Sequence, residues 1–297
     1  MNVLKPKVTI GVCVRNCEST ILETVESIVA QDYPHELLEV LVVDGHSSDK
    51  TVQIVKMVLP DSNIESHVLF ENKGLGFARQ IVVDNAKGEY IVWVDGDMIL
   101  PRDFVKKQVE FMEQNPKVGI AKGRYGIIKE DSLVATLENI DFMTTFSIER
   151  GEMPDVLGTS GCIYRVKAVK EVGGFDKNIA GVGEDMDIEC KIRTAGWELS
   201  ISPTYFYEIR RKTWQALWRE YFWHGKGGFH IFRKKVRVFR SFPLSVVFTK
   251  FVQAARAYRL TYTKKALLLP MHYLFKRTAW VSGFLTESIR VFLKRSN

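Results

Sequence analysis

Long apolar runs are missing from this chain of 297 residues. No stretch in its C-terminal third reaches 18 uncharged apolar residues, and the longest uncharged run there, residues 266–275, is interrupted by Pro270. A membrane-spanning helix is therefore not predicted. Cysteine is scarce as well. Cys13, Cys17, Cys162 and Cys190 show no zinc-site spacing, and residues 1–7 hold no apolar signal region. Packing cysteines in a reducing, cytosolic setting are expected. A dinucleotide fingerprint is also lacking. After Gly74-Leu75-Gly76 the final glycine of that pattern is replaced by Arg79, and the segment does not follow a strand directly. That excludes a Rossmann dehydrogenase.

Acids are nearly absent from one end of the chain. From Arg210 onward there are 20 Lys and Arg against only Glu220 and Glu287, whereas residues 1–209 hold 22 basic and 33 acidic groups. The net charge of +7 thus conceals two regions of opposite sign. The reading is two parts, an acidic 1–208 and a basic 209–297, the second suited to a polyanionic partner.

What is present is organised around Gly88-Glu89-Tyr90-Ile91-Val92-Trp93-Val94-Asp95-Gly96-Asp97. Residues 90–94 have the composition of a fully buried central strand, and they run directly into two carboxylates. Carboxylates resist burial unless something pairs with them. Positions i and i+2 of an extended segment point the same way, so Asp95 and Asp97 can converge on one ion, with Gly96 allowing close approach. Oxygen ligands alone favour Mg²⁺ or Mn²⁺. Upstream, residues 8–14 and 39–43 read as strands, and residues 20–30, 51–58 and 76–86 as helices. The alternation predicts an α/β fold with a mostly parallel sheet. Its strands deliver Arg15 and Asn16 after Val14, then Asp44, then Asp95 and Asp97 to one edge, which fits a nucleotide pocket.

Six segments in order resemble the family 2 inverting glycosyltransferases of the GT-A fold. They are Val12-Cys13-Val14-Arg15-Asn16, the stretch from Val42-Val43-Asp44 to Asp49-Lys50-Thr51, Gly76-Phe77-Ala78-Arg79, the strand ending Asp95-Gly96-Asp97, Gly173-Gly174-Phe175-Asp176, and Gly183-Glu184-Asp185-Met186-Asp187. The resemblance covers roughly the first 205 residues. It implies a nucleotide-diphosphate sugar donor, UDP-sugars favoured, with Asp44 on the base and Arg79 beside base and phosphates. It further implies Asp95 toward ribose or metal, Asp97 on the metal, and Asp185 as catalytic base. Gln80 and Gly45-His46 depart from common members and leave base specificity open.

The chemistry is coherent without the family name. A divalent ion neutralises the leaving diphosphate, while a carboxylate takes the proton of an attacking hydroxyl. The acids at 184, 185 and 187 open an expected helix over residues 188–195, where helix-end charge is the plain alternative. Between metal and base, Thr159 and Ser160 lie on a turn-rich segment that in the family lines the acceptor side, together with Glu184. The basic region mixes cations with aromatics around Trp218 and Arg219 and resembles the segment after the catalytic domain in succinoglycan-type and lipid-linked glycan enzymes. Leu244, Val247, Phe248, Phe251, Val252, Ala255, Tyr258 and Tyr262 form one helical stripe; Trp280, Phe284, Leu285, Ile289 and Phe292 form another. Basic amphipathic helices predict peripheral attachment to an anionic membrane surface, here the cytoplasmic face. A lipid-linked glycan acceptor is expected. A polyprenyl-phosphate sugar synthase is the alternative, and nucleic acid binding a remote one that leaves the acidic pocket and apolar stripes unexplained. A nucleotidyltransferase is disfavoured because Arg15-Asn16-Cys17-Glu18 lacks a glycine-rich phosphate loop.

Overall fold

A computed structural model describes residues 6–147, 154, 156–179, 181–233 and 245–296. The chain forms two compact units. The first comprises Met1–Gly126, Asp155–Ala180 and Glu184–Ile209; the second comprises Ile127–Pro154, Gly181–Gly183 and Arg210–Asn297.

The first unit is a mixed α/β structure on an eight-stranded, mostly parallel sheet. In chain order its elements are β1 (Val8–Val14), α1 (Ile21–Val29), β2 (Leu38–Asp44), α2 (Thr51–Val58), β3 (Glu65–Phe70), α3 (Leu75–Asn85) and β4 (Tyr90–Asp95). There follow β5 (Met98–Ile99), α4 (Phe104–Gln114) and β6 (Val118–Tyr125). After α5 (Leu133–Thr145), which belongs to the second unit, come β7 (Cys162–Arg165), α6 (Val166–Glu171), α7 (Glu184–Thr194) and β8 (Glu198–Glu208). The strand order is β3-β2-β1-β4-β7-β6-β8-β5. Strands β3, β2, β1 and β4 run parallel, while β7 is antiparallel to both β4 and β6.

Register puts the chemistry on one edge. Val14 pairs with Asp44 and Cys13 with Asp95, so the polar ends of β1, β2 and β4 finish side by side. That register is enforced by burial. Every residue from Tyr90 to Val94 is buried, each worth about 1.5–3 kcal/mol, and a one-residue slip would reverse every side chain. Gly11 makes the fit possible, because a Cβ there would stand 2.8 Å from both the Trp93 ring and Val82.

The second unit is helical, built from α5, α8 (Trp214–Arg233), α9 (Ser245–Thr261) and α10 (Leu269–Ser296). Helices α8 and α10 cross backbone to backbone. A Cβ on Gly225 would lie 1.9 Å from the Trp280 carbonyl oxygen, and one on Gly283 would lie 1.9 Å from that of Phe222. A small apolar core joins Leu137, Ile140, Ala254, Ala257, Ala266 and Leu269. Among the described residues no helix is long and apolar enough to cross a membrane.

The amphipathic stripes need correcting here. On α9 it is Gln253, Ala254 and Ala257 that pack or bond inward, and Phe251, Val252, Tyr258 and Tyr262 are exposed. Leu244 and the side chains of Val247 and Phe248 lie outside the described residues. On α10, Trp280 and Phe284 pack on α8 through Gly228 and Phe229, while Met271, Leu274, Val281, Leu285, Ile289 and Phe292 form the exposed apolar face. The helix is apolar on two sides, so its period alone could not assign the inward one.

Candidate active site

The ends of β1 and β2 are tied by a web of short bonds. Asn16 has φ 54°, a left-handed geometry Asn tolerates, which turns the chain at the end of β1. Its N–H donates to Ser47 Oγ and its Oδ1 accepts from the Ser48 N–H, both at 2.8 Å. Asp44 is buried and accepts from Ser47 twice, from the N–H at 2.8 Å and from Oγ at 2.5 Å. Arg15 lies beside Gly45, its side-chain carbons 3.4 Å or more from where a Cβ would be. Val14 fills the space over Gly96, where a Cβ would meet Val14 Cγ1 and Cys17 Sγ at 2.9 Å. The Gly96 carbonyl is fixed by the Thr20 hydroxyl at 2.6 Å. Asp95 and Asp97 are both half-buried at this turn, and the Asp97 carbonyl accepts from the Ile209 N–H at 2.7 Å.

Arg79 is the hinge of the electrostatics. It is buried on α3, with its guanidinium carbon 5.2 Å from the centre of the Trp93 ring. Its Nε donates to Glu184 Oε1 at 3.0 Å, and Nη2 lies 3.5 Å from Asp95 Oδ1. Burial alone would lower its pKa, but the charges of Glu184 and Asp95 outweigh that and raise it. Glu184 gains from the same pair yet moves the unfavourable way. Burial first, then the charge of Asp185, push it up to about 7. One cation between two acids gains from both, whereas Glu184 also faces another carboxylate. Its Oε2 is buried with no hydrogen-bond partner.

Asp185 is half-buried in the first turn of α7 and accepts from the Met186 N–H at 2.7 Å. A Cβ on Gly158 would stand 3.6 Å from its Oδ2. Thr159 is buried, and the Ser160 hydroxyl makes a short bond to Asp95 Oδ2. Residues 157–161 therefore touch Asp185 at one end and Asp95 at the other. Asp44, Arg79, Asp95, Gly96, Asp97, Asp185, Glu184, Thr159 and Ser160 all belong to the first unit, while Trp218 and Arg219 sit on α8 of the second, with Trp218 edge-on to Phe275.

Two groups here escaped the sequence reading. Lys122 on β6 is fully buried and donates to the Ser160 carbonyl at 2.6 Å. Glu189 on α7 is 2% exposed, and it accepts from the N–H groups of Leu157, at 3.1 and 3.0 Å, and Gly158, at 2.7 Å. Burial and then Asp185 push Glu189 up to about 8. Isolated charges within β6 and α7 gave no sign of facing inward.

As a donor set for a metal, Asp95 and Asp97 fit a hard divalent cation, being oxygen ligands on one turn in a surround with more carboxylates than cations. A second cluster with ligand-like spacing, Glu138, Asp141 and His272 in the second unit, does not. Lys276 Nζ already lies 2.7 Å from Glu138 and 2.6 Å from Asp141, so an ammonium stands where an ion would be.

Comparison with known proteins agrees with this geometry. Residues 9–173 match the family model of glycosyl transferase family 2. The poly-beta-1,6-N-acetyl-D-glucosamine synthase of Staphylococcus epidermidis is 23% identical over 222 residues, 73% of this chain and 53% of that protein. This chain thus spans about half the length of the curated relatives it matches. Among solved structures, the mannosyltransferase PcManGT from Pyrobaculum calidifontis, in complex with GDP-Man and Mn²⁺, aligns with a TM-score of 0.66 at 20% identity, covering 96% of this chain and 88% of that one. S. aureus TarS 1–349 in complex with UDP aligns at 0.53 with 17% identity, covering 98% and 92%.

Proposed function

The chain belongs to glycosyl transferase family 2, and from that premise we propose that it moves a sugar from a nucleotide-diphosphate donor to a hydroxyl, with inversion, using Asp185 as base. The observation that carries the reading is the convergence of Asp95, Arg79, Glu184 and Asp185 through one buried guanidinium and one loop. It sets a donor carboxylate and a candidate base at the two ends of residues 157–161. Neighbours of this fold hold GDP-Man with Mn²⁺ or UDP, which supports a nucleotide diphosphate at the sheet edge.

Asp97, with Asp95, would hold a divalent metal. When bound, that ion neutralises the charge growing on the leaving diphosphate. Asp95 has Arg79 and Ser160 on its two oxygens, which favours Asp97 as the direct ligand. Asp185 takes the proton of the attacking hydroxyl. A lipid phosphate is already ionised and needs no base, so an acid in this place favours a sugar-chain acceptor, probe-lipid-linked or free, over charging a polyprenyl phosphate. The exposed apolar face of α10 and the basic balance beyond Arg210 support attachment to an anionic membrane surface.

The test is ligand-induced stabilisation. UDP or GDP with Mn²⁺ should raise the melting temperature of the full chain, because a ligand bound only by the native state stabilises it by mass action. Asp97→Ala should remove the shift, and Asp185→Asn should keep it while lowering turnover roughly 10²–10⁴-fold. No shift with either nucleotide, or turnover by Asp185→Asn near that of the parent, would overturn the reading.

A further inference from the structure

A loop that touches both ends of a reaction must be held more firmly than its own turns allow. Residues 157–161 include two glycines at positive φ, Gly158 at 72° and Gly161 at 64°. Alone, such a segment has many conformations to lose on ordering. Two buried charges of opposite sign restrain it. At its start, the Glu189 carboxylate collects the N–H groups of Leu157 and Gly158; near its end, the Lys122 ammonium holds the Ser160 carbonyl. Between these anchors the loop places Gly158 against Asp185 and Ser160 against Asp95. Bonds from Gly161 N–H to the Trp93 carbonyl at 3.2 Å, and from Gln108 to the Gly161 carbonyl at 3.1 Å, seat it on β4 and α4.

We propose that Glu189 and Lys122 are positioning residues that fix residues 157–161 so that donor carboxylate and base keep a set separation. Neither touches the candidate donor carboxylates; each acts through the loop backbone. Charged groups suit this task, since bonds from backbone N–H to a carboxylate, or from an ammonium to a carbonyl, are stronger than neutral ones in a dry site. Glu189 lies one helical turn beyond Asp185 on α7, so the helix that carries the base also carries the anchor of the loop facing it. Base and loop then move together. The inference rests on the reading of Asp185 as base, and its test separates the two.

The test uses the full chain as Glu189→Gln and Glu189→Ala, with Lys122→Met as a second approach from the other anchor. Amide hydrogen exchange is followed at residues 157–162. Beside it, the thermal shift given by UDP or GDP with Mn²⁺ is measured, along with nucleotide release from UDP-N-acetylglucosamine and GDP-mannose into water. Glu189→Gln keeps the shape but turns an NH₂ toward one of the backbone N–H groups. Exchange at residues 157 and 158 should speed up at least tenfold in Glu189→Gln and more in Glu189→Ala. Nucleotide release should slow at least tenfold in kcat, with the donor KM and the thermal shift nearly unchanged. A merely structural loss would instead lower the shift and raise the donor KM together with kcat. Unchanged exchange in Glu189→Ala, or unchanged release despite faster exchange, would overturn the proposal. Parent-like release in Asp185→Asn with exchange intact would remove the base reading and leave the clamp standing.

Discussion

Both units bury a cation between two acids, yet the two arrangements end in opposite electrostatic states. In the first, Arg79 bridges Glu184 and Asp95, and nearby Asp185 and Glu189 add charge that Arg79 and Lys122 do not cancel. Glu184 and Glu189 rise to about 7 and about 8. In the second, Lys276 bridges Glu138 and Asp141, with Lys250 3.6 Å from Asp141 and His272 3.1 Å from Glu138. Burial would raise both acids, but Lys276 above all brings Glu138 down to about 2 and Asp141 well below its ordinary range. One network is closed by its own cations; the other keeps surplus negative charge. Surplus of that kind costs stability and persists where a ligand supplies the countercharge.

The largest break in this comparison is Lys276→Met. It leaves two carboxylates buried without their main partner and should cost about 3–5 kcal/mol, read as a lower midpoint in thermal or urea unfolding. Removing the acids as well, in Lys276→Met with Glu138→Leu and Asp141→Leu, should recover most of that loss, because apolar replacement of a whole buried network is often neutral. A triple variant as weak as the single one would show that packing around Lys276, not its charge, is what matters.

How much of this was legible in the sequence differs by element. Strands β1, β2 and β4 and helix α2 were readable because apolar runs stop abruptly at polar residues. The family motifs named Asp44, Arg79, Asp95, Asp97 and Asp185. Strand β3 was not read, since Glu65-Ser66-His67 is largely polar and its residues are half-buried or exposed at the sheet edge. Lys122 and Glu189 look like surface residues in a one-dimensional pattern; only the fold shows backbone groups waiting for them. The Glu138–Asp141–Lys276 network joins residues over 130 positions apart, and no spacing rule reaches that far. Helices α9 and α10 show the limit of periodicity most clearly. Their small residues, Ala254, Ala257 and Gly283, face inward, and several of the large ones face out.

A smaller effect sharpens the contrast through pH. Glu184 is raised from 4.5 to about 7, so between those values the native state holds a proton that the unfolded chain has released. Its contribution therefore falls as pH rises through that window. Glu138 is lowered from 4.5 to about 2, so its contribution is lost as pH falls through that range. Glu184→Gln should flatten the decline between pH 4.5 and 7, by on the order of 2 kcal/mol, and leave the acid limb untouched. A variant that changes the acid limb instead would mean the two networks are not electrically separate.

The smallest effect concerns the surface that the second unit leaves apolar. Met271, Leu274, Val281, Leu285, Ile289 and Phe292 recur every three to four residues along α10, which is the spacing of a single helical face. Leu285 is 53% exposed, so replacing it removes little packing and should leave the melting temperature within a degree or two. If the face enters a membrane surface, the same side chain leaves water when the protein binds. Leu285→Ser should then weaken partition onto vesicles containing phosphatidylserine by about tenfold, the equivalent of roughly 1.4 kcal/mol. Arg290, 61% exposed one turn away, supplies the salt-dependent part of the same contact. Arg290→Gln should therefore reduce binding at low ionic strength and have little effect at high salt, while Leu285→Ser should reduce it at both. Equal vesicle binding by parent and Leu285→Ser at every salt concentration would assign this face to something other than lipid.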